Sequence, residues 1–298
     1  MSRLVERLHG DVPLLMGILN VTPDSFSDGG RHLPLDAALE QAGRMLTEGA
    51  DILDVGGEST RPGSEPVDAA EQMRRVLPVI EAIRRQWPEC CVSVDTSRAA
   101  VAEAALDAGA DLVNDISAGR DDPKMFPLIA ARGVPILLMH MQGTPKTMQD
   151  NPCYEDVVEE VLAFFRERIA AARAAGIPDR HIVLDPGIGF GKRKQDNLDL
   201  LASLDRFTAM GYPVLLGASR KRFMGAICRE TEPAALVPAT VATTALGVMA
   251  GIRIFRVHDV RENRQAADIA AAVRTARRPH PGPLAEGEGE QGRGQFPI

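Results

Sequence analysis

Apolar residues gather into eight short runs, at positions 14–19, 52–55, 92–94, 112–113, 134–139, 182–184, 214–216 and 252–257. The runs are compact and mostly do not alternate with polar residues, as strands buried on both faces should be. Between them apolar residues recur at helical spacing. After the first run, Leu35, Ala38, Leu39, Ala42, Met45 and Leu46 line one face of a helix. The same pattern predicts helices near 68–86, 98–108, 123–132, 152–175, 195–210, 233–250 and 261–277. Asp122-Pro123 and Asn151-Pro152 each set a capping side chain before a proline suited to a first helical turn, so both predict helix starts. Gly49, Gly109, Gly133, Gly176 and Gly251 follow helical patterns and mark the returns.

Eight strand–helix units with short returns imply right-handed parallel crossovers. An open doubly wound sheet and a closed (β/α)8 barrel both satisfy that rule. Eight units within about 265 residues match the usual barrel, so the expectation is a single (β/α)8 TIM barrel over residues 1–278. Residues 279–298, rich in Pro, Gly and Glu, read as a disordered tail.

The polar residues are distributed unevenly along these units. At or just beyond the C-terminal strand ends stand Asn20, Asp54 with Glu58 to Arg61, Asp95, Asn114 with Asp115, His140, Asp185, Ser219 to Lys221, and Arg256 with His258. The N-terminal ends carry mostly small and aliphatic residues. Polar residues that merely flanked strands would mark both ends, whereas a barrel collects its chemistry at the C-terminal face. Asp95, Asn114 and Asp185 are acceptor-bearing groups suited to a flat heterocycle with adjacent N–H donors. Arg61, Arg220, Lys221, Arg256 and His258 are donors suited to carboxylate or phosphate oxygens. Asn20 offers one oxygen to a magnesium ion held mainly by phosphates.

Each residue also has a structural alternative. Asp185 can cap its own loop, and Asp95 or Ser97 can cap a helix starting near Arg98. His140 has no partner at metal-ligand spacing and reads as structural. His258 beside Asp259 is open between the two readings. The segment from Gly187 to Lys192 is neither a dinucleotide fingerprint nor a Walker loop.

Composition narrows the class. A formal net charge of −7 over 298 residues argues against nucleic acid or an anionic membrane as partner. Cys90, Cys91, Cys153 and Cys228 show no metal-ligand spacing, which fits reduced thiols and a cytoplasmic location. The charged N-terminus has no signal-like core, and no apolar run is long enough to span a bilayer.

Eight collinear segments carry a resemblance: residues 17–28 (GILNVTPDSFSD), 54–63 (DVGGESTRPG), 93–96 (SVDT), 113–116 (VNDI), 139–141 (MHM), 185–191 (DPGIGFG), 217–221 (GASRK) and 256–260 (RVHDV). In these, the chain resembles the dihydropteroate synthases, pterin-binding enzymes that join a pterin diphosphate to p-aminobenzoate. The resemblance implies the same barrel and a Mg²⁺-assisted release of diphosphate. It implies that Asp95, Asn114, Asp185 and Lys221 hold the pterin, and that Phe190 and Ser219 border the p-aminobenzoate. Met139 and Gly217 are further expected substrate contacts. Asn20, Arg256 and His258 are expected to hold the diphosphate with Mg²⁺, while Thr60 and Arg61 belong to a closing loop. Asp95, Asp185, Lys221, Arg256 and His258 form the expected catalytic set, and a homodimer is implied. Arg222 departs from the small polar residue many relatives carry there. Two other readings compete. A methyltetrahydrofolate-dependent methyltransferase shares the barrel but needs no diphosphate clamp, and a non-catalytic paralogue would bind pterin without turnover.

Overall fold

The computed structural model describes residues 2–22, 33–59 and 63–277. Eight parallel strands are present: β1 (Leu14–Asn20), β2 (Ile52–Gly56), β3 (Cys91–Asp95), β4 (Leu112–Asp115), β5 (Ile136–Met139), β6 (Ile182–Asp185), β7 (Leu215–Leu216) and β8 (Ile254–Val257). Their order, β6-β5-β4-β3-β2-β1-β8-β7, is sequential around a ring. A parallel bridge between Leu184 and Val214 joins β6 to β7. The sheet is therefore a (β/α)8 barrel, and the open doubly wound alternative is excluded.

Helices return the chain between strands: α2 (Leu33–Thr47), α3 (Ala69–Gln86), α4 (Ala99–Asp107), α5 (Met125–Arg132) and α6 (Val157–Ala174) over the first half. The second half holds α7 (Lys194–Ala202), α8 (Leu204–Thr208), α9 (Arg222–Cys228), α10 (Val237–Met249) and α11 (Val260–Ala276). The single helix predicted over 195–210 breaks at Ser203. The start predicted at Asn151-Pro152 is displaced. Asn151 takes a left-handed backbone (φ 60°), and α6 begins at Val157, where the Asp156 carboxylate accepts from the N–H groups of Val158 and Glu159. Two helices were not anticipated, α9 and the N-terminal α1 (Ser2–His9).

Successive strand side chains point to opposite faces, and the two faces divide the core. Leu15, Leu53, Val92, Val113, Leu138, Leu184, Leu216 and Phe255 face outward into the helices. Met16, Ile52, Cys91, Leu112, Leu137, Val183, Leu215 and Ile254 fill the barrel interior, with Leu4 and Leu8 of α1 closing its floor. Arg253 fastens α1 there, its Nε donating to the carbonyls of Arg7 and Leu8 at 3.1 Å each. With the lower interior plugged by aliphatics, the polar inward-facing positions of the strands lie toward their C-terminal ends.

Candidate active site

Two residues above the aliphatic layer, the inward positions change character. They become Asp54 on β2, Ser93 on β3, Asn114 on β4, Met139 on β5, Asp185 on β6 and Arg256 on β8, with Gly217 just past β7. One more step up brings Asn20 on β1 and Asp95 on β3. Asp115 is adjacent to Asn114 and so faces outward. Its carboxylate accepts from Ser117 and Gly119 and shapes the turn after β4, so its role is structural.

Arg256 organises one side of the site. Its Nε donates to Asp54 Oδ2 and its Nη2 to Asp95 Oδ2, both at 2.6 Å. Asn114 Nδ2 donates to the same Asp54 oxygen at 3.0 Å. Asp54 is wholly buried, and its Oδ1 and the Ser93 Oγ have no hydrogen-bond partner among the described residues. One guanidinium faces two carboxylates here. Burial, together with Asp54 and Glu58 and against Arg256, raises the Asp95 pKa well above the usual carboxylate range. The paired carboxylates hold Arg256 firmly charged even though burial opposes it. The sequence marked Asp54 at its strand end but assigned it no role, and the geometry makes it the anchor of Arg256.

Asp185 faces this network across the barrel. Its Oδ1 accepts from the Gly187 N–H at 2.7 Å, so it does cap its own loop. Its Oδ2 is turned toward Gly217, where an added Cβ would stand only 3.7 Å away. Burial pushes the Asp185 pKa up to about 6, opposed by Gly187 and Lys221. Asp95 caps no helix. The Asp122 carboxylate instead receives the Ala99 N–H at the start of α4.

Lys221 and Phe190 form the opposite wall, with Nζ 4.0 Å from the ring centroid, a cation–π contact. Burial and the nearby Arg256 lower the Lys221 pKa to about 8, against Asp185 and Asp95. Phe190 packs with Met139, Met141 and Met148 into an apolar cluster beside this polar floor. Gly187 takes φ 68°, and a Cβ there would lie 1.9 Å from the His140 carbonyl. The glycine loop can therefore lie directly on the end of β5.

Ser219 Oγ lies 3.0 Å from His258 Nδ1 and also receives the His258 N–H at 3.2 Å. A hydroxyl proton given to Nδ1 leaves Nε2–H free to donate outward. Burial and the charges of Arg220 and Arg256 push His258 down to about 3, so it is a neutral donor here. Arg220, grouped by sequence with the anion-binding donors, turns away. It takes a left-handed backbone and pairs with both oxygens of Asp259, Nε to Oδ2 at 2.9 Å. His140, read from sequence as structural because it has no partner at metal-ligand spacing, lies 3.0 Å from Lys192 Nζ through its Nδ1. Thr60 and Arg61 lie outside the described residues.

Asn20 Oδ1 would meet a Cβ on Gly56 at 3.6 Å, and Asp95 Oδ2 would meet it at 3.7 Å, so Gly56 lets the two side chains share one corner. No group of three or more His, Cys, Asp or Glu suited to a metal occurs among the described residues. A lone amide oxygen beside a carboxylate suits only a cation that keeps most of its ligands from bound oxygens and water. The assembled site interleaves carboxylates and cations at the barrel mouth, Arg256 against Asp54 and Asp95 and Lys221 against the Phe190 ring.

A family model described as pterin binding enzyme matches residues 16–258. The chain is 46% identical over 265 residues to the dihydropteroate synthase of Haemophilus influenzae, covering 89% of this chain and 95% of that protein. It is 48% identical over 275 residues to a probable bifunctional folylpolyglutamate synthase/dihydropteroate synthase of Haloferax volcanii, covering 91% of this chain but only 32% of that longer protein. The solved dihydropteroate synthase of Xanthomonas albilineans with 4-aminobenzoic acid superposes with a TM-score of 0.83 at 47% identity, covering 88% of this chain and 93% of that one. The same enzyme with 7,8-dihydropteroate superposes with a TM-score of 0.80 at 44% identity, covering 88% and 94%.

Proposed function

The chain belongs to the dihydropteroate synthase family of pterin-binding enzymes, and on that premise we propose that it condenses 6-hydroxymethyl-7,8-dihydropterin diphosphate with p-aminobenzoate. The products are 7,8-dihydropteroate and diphosphate. Membership makes the chain a transferase. The observation that carries the substrate assignment is the convergence at one barrel mouth of the acceptors Asp95, Asn114 and Asp185 with the donors Arg256, His258 and Lys221, interleaved around the same space. A pterin presents adjacent N–H groups and its diphosphate presents oxygens, so both sets find partners. The methyltransferase alternative leaves Arg256 and His258 without a diphosphate to bind.

In this reading the free Oδ2 of Asp185 and the carboxylate of Asp95 accept pterin N–H groups, while Asn114 is held in orientation by Asp54. Phe190 and Ser219 border the arylamine. The amine nitrogen is neutral at pH 7 and needs placement rather than deprotonation. Its lone pair forms the new C–N bond at the pterin methylene as the C–O bond to diphosphate breaks, and its surplus proton passes to solvent or to the departing diphosphate. Asp95 and Asp185 favour positive charge developing on the pterin. Arg256 and the outward N–H of His258 meet the negative charge gathering on the leaving group. Asn20 would offer its amide oxygen to a Mg²⁺ ion, which would supply charge neutralisation for the leaving group.

The test is differential binding. Arg256→Ala should weaken pterin diphosphate at least about tenfold more than a phosphate-free pterin, on the scale of one lost charge-assisted contact. Equal losses for both ligands, measured by calorimetry, would remove the diphosphate from this corner of the site.

A homodimer belongs to the same proposal. Leu246 on α10 and Ile269 and Val273 on α11 are 61%, 69% and 45% exposed, an apolar patch on two adjacent helices. Sedimentation analysis of the full chain giving only monomer at micromolar concentration would contradict it.

A further inference from the structure

Lys192 closes the glycine loop and has no part in the reaction proposed above. It is 3% exposed, a costly place for an ammonium unless its protons are used. They are. Its Nζ lies 3.0 Å from the Phe190 carbonyl, 3.0 Å from His140 Nδ1 and 3.3 Å from the His140 carbonyl. An ammonium has three N–H groups and no acceptor, so three acceptors satisfy it. Two of them belong to His140, immediately after β5, and the third to Phe190, whose ring lies beneath Lys221. The His140 ring is itself fixed edge-on against Phe164, with centroids 4.9 Å apart. A separate tie, Tyr154 Oη to the Gly191 carbonyl at 2.6 Å, holds the next residue of the loop.

We propose that Lys192 is a positioning residue for the arylamine end of the site. Its Nζ straps the Phe190 carbonyl to the end of β5, and the His140 imidazole keeps that strap closed whichever of the two nitrogens holds the shared proton. The proposal rests on the reading of this pocket as one that joins a pterin to an arylamine.

The second part follows from proton counting. The charged groups facing the pair are Asp185 at the end of β6, Lys221 after β7, Asp196 on α7 and Arg120 before α5. Burial lowers the Lys192 pKa to about 7, with Asp185 opposing and Lys221 assisting. Burial, Lys192 and Arg120 keep His140 neutral, so its imidazole carries a single N–H. With Lys192 charged, Nδ1 accepts from it. With Lys192 neutral, the imidazole changes tautomer and Nδ1–H donates to the amine lone pair, while the two carbonyls keep the remaining N–H groups. The proton leaves and the three contacts stay.

The experiment compares wild type, Lys192→Met and Tyr154→Phe by steady-state kinetics with both substrates varied. Lys192→Met should raise KM for p-aminobenzoate about tenfold or more while KM for pterin diphosphate moves less than about threefold. Tyr154→Phe, which leaves the Phe190 strap intact, should move either constant less than about threefold. Equal rises in both constants, or none, overturn the positioning role. Nitrogen NMR of His140 in the wild-type protein decides the tautomer claim even if Lys192→Met does not fold. Its Nδ1 should pass from acceptor-type to donor-type as pH rises through neutrality with the Phe190 amide signal unmoved, and a constant Nδ1 type with a shifting Phe190 signal overturns it. Wild type without turnover would defeat the reaction reading, whereas the NMR result stands apart from it.

Discussion

Replacing Asp54 by asparagine, and separately by alanine, tests whether this buried acid anchors Arg256. In the wild type, Asp54 Oδ2 receives both Arg256 Nε at 2.6 Å and Asn114 Nδ2 at 3.0 Å. Asparagine keeps an acceptor in that place but removes the charge. A salt bridge becomes a hydrogen bond from the guanidinium to an uncharged amide oxygen, a loss of about 1 to 1.5 kcal/mol, or roughly tenfold in kcat/KM. The fold should tolerate it, because one guanidinium then faces a single carboxylate, Asp95. Alanine strands two buried donors at about 1–3 kcal/mol each, which predicts a loss above about a hundredfold and a measurable fall in stability. The assay is the initial rate of diphosphate release with both substrates, alongside urea unfolding to normalise for folded protein. Rates within twofold of wild type for both variants would refute the anchoring argument. So would equal losses for asparagine and alanine, since the retained acceptor would then have no value.

Asp95→Ala should depress turnover by about a hundredfold or more, as expected for loss of a buried charge-bearing contact, while the urea midpoint stays near wild type because Asp54 still balances Arg256; a collapse of the midpoint with normal activity of the folded fraction would reverse the assignment. His140 gives a pH prediction. Its folded pKa is lowered to about 2 from the ordinary 6.5 of a histidine, burial first and Lys192 second. The unfolded chain binds that proton below 6.5 and the folded chain does not, so stability contributed at neutral pH is lost as pH falls. The loss reaches about 2 kcal/mol by pH 5. Wild type should therefore lose about that much more than His140→Gln between pH 7.5 and pH 5 in urea titrations; parallel losses would contradict the burial argument. Gly187→Ala should destabilise by about 3 kcal/mol or more, because a side chain meets both a left-handed backbone and the His140 carbonyl, and an unchanged melting temperature would show that the loop can move off β5.

The barrel was legible because its strands are buried on both faces and therefore read as unbroken apolar runs. α1 was not, since its pattern is only Leu4 and Leu8 four residues apart in a charged terminus. α9 is too short for a periodic signal. Asn151-Pro152 carries the local chemistry of a helix start, but tertiary structure uses Asn151 in a left-handed turn and leaves the cap to Asp156. Within the site, period-two alternation alone separates inward Asn114 from outward Asp115, and it also points Asp54 into the pocket. Pairings between distant residues were invisible. Arg220 meets Asp259 across 39 positions and Arg256 meets Asp54 across 202, and no local pattern records either. Sequence could list donors and acceptors at the barrel mouth; which donor was already committed to a protein carboxylate needed the coordinates.

The most direct test of the central claim is product analysis. The full chain is mixed with 6-hydroxymethyl-7,8-dihydropterin diphosphate, p-aminobenzoate and Mg²⁺, with 7,8-dihydropteroate followed by mass spectrometry and diphosphate release in parallel. The account predicts equal amounts of the two products and neither when p-aminobenzoate is omitted. Pterin binding without any dihydropteroate, or diphosphate release that ignores p-aminobenzoate, would contradict it.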